Sequence, residues 1–175
     1  IKLPESVEYI DYYAFEGCKM LRKVVFSETL NYIGHNAFSQ CVSLKRITLP
    51  KNITYTGYST FAGCINLKKV KLSNMELINS NMFSDCTSLK TFSADLSSVL
   101  QAVRVFANFK SLKSFTAKLD SLEGGVSMFE GCTSLTDFDA NLTSLTSGIG
   151  MFYGCKLNTA SLKKIAETIN TVSSA

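Results

Sequence analysis

Apolar residues recur along this chain with a short rhythm nested in a long one. Phenylalanines stand at Phe15, Phe38, Phe61, Phe83, Phe106, Phe129 and Phe152, spaced by 23, 23, 22, 23, 23 and 23 residues. Three positions later come Cys18, Cys41, Cys64, Cys86, Phe109, Cys132 and Cys155, and three further on Leu21, Leu44, Leu67, Leu89, Leu112 and Leu135. Val24, Ile47, Val70, Phe92, Phe115 and Phe138 follow, then Phe26, Leu49, Leu72, Ala94, Ala117 and Ala140. The unit is F-x-x-C-x-x-L-x-x-Φ-x-Φ, with Φ apolar. The alternation in L-x-x-Φ-x-Φ predicts a short strand with one buried face. The three-residue beat of F-x-x-C-x-x-L predicts a tight helical or 3₁₀ turn on the opposite side of the coil.

A period of 22–23 residues falls in the range of roughly 20–29 for leucine-rich repeats, each a strand plus a short helical turn. The predicted fold is an α/β repeat solenoid. It is a right-handed coil with a parallel β-sheet on one face, helical or 3₁₀ turns opposite, and rungs about 4.8 Å apart. No unit can bury its own apolar side, so stability has to come from neighbours. Residues 1–175 read as one such domain, with one unit type over 1–72 and a variant over 73–155. In the first type an apolar pair lies close before the marker, as with Leu30 and Ile33 before Phe38; in the second it lies two residues earlier, as with Leu119 and Leu122 before Phe129. The strand residues compensate, a larger Phe being followed by a smaller Ala, which conserves core volume. The change of cross-section falls near residues 73 to 82. A capping helix is predicted over 156–172, with Leu162, Ile165, Ala166 and Ile169 on one face and Asn158, Thr159 or Ser161 as N-cap. At the other end Ile1 and Leu3 read as a strand with no predecessor, so further repeats are expected upstream.

With 46% hydrophobic and 18% charged residues the composition excludes intrinsic disorder. No apolar run approaches the roughly 18 residues a membrane helix needs. The net charge of +4 is too mild for a dedicated nucleic-acid binder. Six cysteines raise the question of metal, yet they recur once per coil with no C-x-x-C pair, and Phe109 takes one of their places. They read as a ladder of buried, free thiols, with no metal or cofactor. His35 shares its phase with Tyr12, Tyr58, Ser80, Val103, Val126 and Ile149, a tolerance that marks a loop position with no catalytic partner. Asp137 and Asp139 lie two apart on one strand and read as solvated acids, since no cleft for paired-carboxylate chemistry is implied. The chain is expected not to be an enzyme.

Stacking turns exposed strand positions into columns. One column reads Lys23, Arg46, Lys69, Thr91, Ser114, Asp137 and its neighbour Val25, Thr48, Lys71, Ser93, Thr116, Asp139, beside a cationic row of Arg22, Lys45, Lys68, Lys90 and Lys113. The candidate ligand-binding residues are therefore Lys23, Arg46, Lys69, Lys71, Asp137 and Asp139, on a face graded from basic to acidic. The alternative is a solvated Lys-rich surface that keeps a flat sheet from sticking to others. Tyr9, Tyr32 and Tyr55 share another phase, continued by Leu77 and Leu100, with Tyr12, Tyr13 and Tyr58 nearby. Such ladders serve as sugar platforms, as protein hot spots, or simply as stabilising stacks. Asn52-Ile-Thr54 and Asn141-Leu-Thr143 satisfy the N-glycosylation sequon.

The strings LPESVEYIDYYAFEGCKMLRKVVF, LNYIGHNAFSQCVSLKRITLP and ITYTGYSTFAGCINLKKVKL resemble the BspA-like bacterial leucine-rich repeats, L-P-x-x-V-x-x-I-G-x-x-A-F-x-x-C-x-x-L. Later units such as SLEGGVSMFEGCTSLTDFDA are similar to a variant with Met-Phe for Ala-Phe. The resemblance implies an extracellular or cell-surface location and a non-enzymatic adhesion module. Its partner would be a host or neighbouring-cell surface protein or an acidic glycan, with no nucleic acid and no membrane insertion. The competing expectation is a structural spacer or assembly module in a large surface or phage-tail-like protein.

Overall fold

The computed structural model describes residues 1–72, 78–92 and 94–170. Leu77, Ser93, most of the expected junction and the last two residues of the expected helix lie outside the described residues. In chain order the elements are β1 (Tyr9–Ile10), β2 (Tyr32–Ile33), β3 (Arg46–Thr48), β4 (Tyr55–Thr56), β5 (Lys69–Lys71), β6 (Thr91–Phe92), β7 (Ser114–Phe115), β8 (Asp137–Phe138) and α1 (Thr159–Asn170).

All strand pairing is parallel and one repeat out of step. β3 pairs with β5 through Ile47↔Val70, and β6, β7 and β8 pair through Phe92↔Phe115↔Phe138. These are the strands the alternating pattern predicts, and their apolar residues point inward. Among the described residues β3–β5 and β6–β7–β8 form separate sheets. A further sheet, β1–β2–β4, pairs Tyr9↔Tyr32↔Tyr55 on another flank. It was not anticipated from a pattern that promised one sheet face. Its strands span two residues each, too few for period-two alternation to be recognised. In later units that flank is reduced to isolated bridges, Gln101↔Gly124↔Ser147.

The marker side is built of hydrogen-bonded turns and not of the helical or 3₁₀ turns expected. The reason is conformational. Two positions per unit are left-handed, as in Asn36 (φ 55°) and Gln40 (φ 60°), or Asn81 (φ 59°) and Asp85 (φ 63°), and a left-handed residue ends helical propagation. In return the peptide groups turn along the stack. Phe15 N–H donates to Ala37 C=O, Phe38 to Thr60, Phe61 to Met82, Phe83 to Val105, Phe106 to Met128 and Phe129 to Met151. Two flanking columns repeat this, starting at Tyr13 N–H to His35 C=O and Gly17 N–H to Ser39 C=O, so three columns run at 2.7–3.2 Å through every described coil. They continue from the unit of β5 to that of β6, strands that belong to separate sheets among the described residues, through Ser59 to Ser80 and Gly63 to Ser84. The turn side is the continuous seam of the molecule.

Inside, the marker rings form one parallel stack from Phe15 to Phe152, with neighbouring centroids 5.0–6.4 Å apart. Phe38 through Phe129 are fully buried. Phe15 and Phe152, with a neighbour on one side, are half-buried. The thiol ladder runs beside the rings: Cys41 donates to Phe15 C=O at 3.1 Å and Cys64 to Phe38 C=O at 3.3 Å. All six cysteines are free, but the expectation of six buried thiols is corrected at both ends, where Cys18 is exposed and Cys155 half-buried.

α1 closes the strand side of the last coil. Asn158 is its N-cap, accepting the Ser161 N–H at 2.9 Å, and buried Ser161 in turn accepts the Phe138 N–H at 2.9 Å. The docked face carries Ser161, Lys164, Ile165 and Thr168. Leu162, Ala166 and Ile169, expected to face inward, are exposed. A hydroxyl that satisfies the open strand edge outranks apolar periodicity here, because an unpaired buried N–H is costly.

Candidate ligand-binding faces

The parallel register fixes the strand columns. Arg46 stands beside Lys69 and Thr48 beside Lys71, with side chains directed outward because Ile47 and Val70 between them turn to the core. Lys23, Arg46, Lys69 and Lys71 are all exposed. They border two adjoining shallow clefts of about 470 and 400 Å³ that share Arg46 and Lys71. Glu28 lines the first cleft as well. The cationic row beside them is in register too: Lys45 N–H donates to Arg22 C=O, Lys68 to Lys45 and Lys113 to Lys90. Among the described residues none of these cations has an ion-pair partner. Like charges about 5 Å apart repel by roughly 1 kcal/mol per pair in water, so the row is held at some cost.

The two candidate aspartates are placed elsewhere and differently occupied. Asp137 accepts from Thr136 Oγ1 at 2.6 Å and from Asn158 Nδ2 at 2.8 Å. Asp139 is ion-paired with Lys164 of α1. Both carboxylates tie the final helix to the stack.

A second surface lies on the β1–β2–β4 flank. Tyr9, Tyr32 and Tyr55 stack with centroids 4.3 and 4.7 Å apart and ring planes within 12°. Alongside runs a second column, Tyr12, His35 and Tyr58, at 4.9 and 4.8 Å. The columns are linked by Tyr32 Oη to Tyr12 Oη at 3.2 Å and by an edge contact of His35 with Tyr55. That phenol hydrogen bond, with burial, raises the Tyr32 pKa, and burial raises that of Tyr55. His35 is therefore not the free loop residue its phase suggested. It is half-buried, sandwiched by two rings, and its Nδ1 accepts the Tyr58 N–H at 2.8 Å. Gly57 permits this closeness, since a Cβ there would stand 2.3 Å from the His35 backbone nitrogen. Tyr12 and Tyr58 flanking His35 in phase, with Gly34 and Gly57 just before His35 and Tyr58, was the signal available in the sequence.

The thiol ladder offers little chemistry. Burial pushes the Cys41 thiol up to about 11 and the Cys64 thiol up to about 12, which keeps both protonated and unreactive. No group of three or more His, Cys, Asp or Glu placed to hold a metal occurs among the described residues.

A repeat model described as BspA type leucine rich repeat region matches residues 1–103 and 77–173, in six copies. The chain belongs to the BspA-type leucine-rich repeat family. This BspA-type chain is similar in structure to the leucine-rich repeat protein of T. pallidum, at 24% identity and TM-score 0.80, covering 97% of this chain and 82% of that one. It is also similar to a leucine-rich repeat protein from Eubacterium ventriosum, at 22% identity and TM-score 0.73, covering 90% of this chain and 43% of that one. Both likenesses concern the fold: parallel strands in sheets with one C-terminal helix. No curated protein matches the BspA-type chain.

Proposed function

We propose that this BspA-type chain is a non-enzymatic recognition module of a secreted or cell-surface adhesin. Its right-handed coil holds an acidic protein or acidic glycan against the basic strand face. The observation that carries this reading is the set of exposed cations, Lys23, Arg46, Lys69 and Lys71, around two adjoining clefts with no carboxylate paired to any of them among the described residues. Stacked repeats pre-order such a surface, which lowers the ordering cost of association. The opposite end of the face carries Asp137 and Asp139, so a ligand with a charge gradient is held in one orientation; those two residues contribute through the field they set, since their oxygens are engaged with α1.

The test is retention of the protein on heparin, sialylated glycan and immobilised extracellular-matrix protein across a salt series. Binding that weakens as salt rises from about 0.1 to 0.5 M, where the Debye length falls from about 10 Å to less than half that, and that is lost when Lys23, Arg46 and Lys69 are changed to Glu, is the expected result. Retention on none of these leaves the module as a spacer that sets reach within a larger surface protein.

A further inference from the structure

The tyrosine and histidine columns use up their own ring faces. At centroid separations of 4.3–4.9 Å each inner ring is covered on both sides, and the flank offers mostly ring edges and hydroxyls to solvent. Tyr9, Tyr12, Tyr55 and Tyr58 end the columns and each has a stacked ring on one side among the described residues, and of these Tyr58 is the one with a described neighbour from the next coil on its other side. One face lies on His35 at 4.8 Å, with the planes 4° apart. The next residue in its column is Ser80, fixed there by Ser59 N–H donating to Ser80 C=O at 3.0 Å. After Ser80 comes Val103, fixed by Asn81 N–H donating to Val103 C=O. A small side chain thus stands between two large ones. Two rungs at about 4.8 Å set the Tyr58 and Val103 positions roughly 10 Å apart, and the half-thicknesses of the two side chains leave room for one saturated or aromatic ring. Tyr58 remains 51% exposed despite its stack on His35.

The rim decides what fits. The side chains of Ser59, Ser80 and Asn81 have no hydrogen-bond partner among the described residues. Arg104, beside Val103 in the chain, is ion-paired with Glu130. Asp85, in the unit carrying Ser80, accepts from Asn108 Nδ2 at 3.0 Å, and among the described residues no carboxylate has a contact with Tyr58, Ser80 or Val103 that would position it beside a cation on the ring face, which such a cation would want when desolvated. Hydroxyl and amide groups around an open, electron-rich ring face suit a neutral ligand with polarised C–H bonds on one side and hydroxyls at its edge.

We infer that the notch between Tyr58 and Val103 is a binding site for a neutral pyranose unit, stacked on Tyr58 and hydrogen-bonded by Ser59, Ser80 and Asn81. This site is separate from the basic strand face and does not depend on it. Its test is titration with neutral oligosaccharides, namely maltohexaose, cellohexaose, laminarihexaose and mannohexaose. The readouts are calorimetry and the NMR signals of the Tyr58 ring, in about 0.5 M NaCl so that surface electrostatics are screened. Binding of at least one of them in the range of about a millimolar is expected, as for one stacked ring with few hydrogen bonds. Tyr58→Ala weakens it about tenfold or more, and Ser80→Tyr, which fills the notch with a fourth ring and so preserves the ladder, does the same without loss of folding. Changing Lys23, Arg46 and Lys69 to Glu leaves it unaltered. The inference is overturned if none of the four binds up to about 20 mM, well above that expected affinity, or if binding survives Ser80→Tyr.

Discussion

The first three coils and the last three fill the same cross-section in different ways. In the early coils the strand places Val24, Ile47 and Val70 inward, followed by Phe26, Leu49 and Leu72, and the neighbouring flank forms the tyrosine-bearing sheet β1–β2–β4. In the late coils Phe92, Phe115 and Phe138 stack on one another 5.7 Å apart. They meet the marker stack edge to face, Phe115 against Phe129 at 4.6 Å and Phe138 against Phe152 at 4.9 Å. Two crossed ladders of rings there do the work that one ladder and aliphatic residues do earlier. Where aromatic mass moves into the core, the outer flank loses its tyrosines and shrinks to single bridges. A second aromatic ladder thus lies inside in one half, and tyrosines are left on the exposed flank in the other.

That contrast is broken most directly by removing a ring. Phe106 touches Phe83, Phe92, Phe109, Phe115 and Phe129, whereas Phe61 stacks only on Phe38 and Phe83. Both are fully buried, so each Phe→Ala change costs about 3–5 kcal/mol, with Phe106 the larger in urea unfolding. Exchanging the volume partners is next. Leu49→Ala costs about 2–5 kcal/mol as a cavity, while Ala117→Leu, beside Phe115, costs about 1–3 kcal/mol as overpacking. The two measured in one background, alone and together with their neighbours, report whether each half owns its packing solution.

Thiol ionisation separates the interior of the ladder from its ends. Folding raises the Cys41 and Cys64 thiols from 9.0 to about 11 and about 12. The unfolded chain therefore gives up these protons first, so the stabilisation is complete below pH 9 and is lost as pH rises from 9 toward 12. Each such group can contribute a slope of up to about 1.4 kcal/mol per pH unit in that window, and Cys64→Ala removes one share of it. A thiol reagent on the folded protein is expected to label Cys18 and Cys155 first, since Cys18 is exposed and Cys155 half-buried while the other four are buried. The smallest effect tests the outer flank: His35→Ala costs about 1 kcal/mol, the scale of one hydrogen bond together with a ring stack, and a value near zero would return His35 to the status of a free loop residue.

The repeat frame was readable because its markers recur at fixed phase, and Phe38, Cys41, Leu44 and Ile47 all lie buried as their phase demands. The turn conformation was not, since F-x-x-C-x-x-L looks helical unless one notices that its left-handed positions hold Asn, Gln, Asp, Ser or Gly more often than chance would put them there. α1 was read in the right place with the wrong face inward, because the apolar periodicity of Leu162 and Ile169 carries no information about the strand N–H that Ser161 answers. Of the candidate ligand residues, the column register of Arg46, Lys69 and Lys71 was legible from spacing alone. That Asp137 and Asp139 would be engaged by Asn158 and Lys164 needed the helix in position. The phase of the short 22-residue unit already set Ser80 and then Val103 after Tyr58, and the coil-to-coil hydrogen bonds fix that order, but spacing said nothing of the ring stack that leaves Tyr58 at the column's end.

The three backbone columns on the turn side have a direction. Every carbonyl in them faces the amino-terminal coil and every amide hydrogen faces the carboxyl-terminal one, so small peptide dipoles add in series as they do along a helix. The molecule behaves electrically like a bar with unlike poles, independent of its side chains. Its positive pole lies at Gly150, Phe152 and Gly154, whose amides have no acceptor among the described residues.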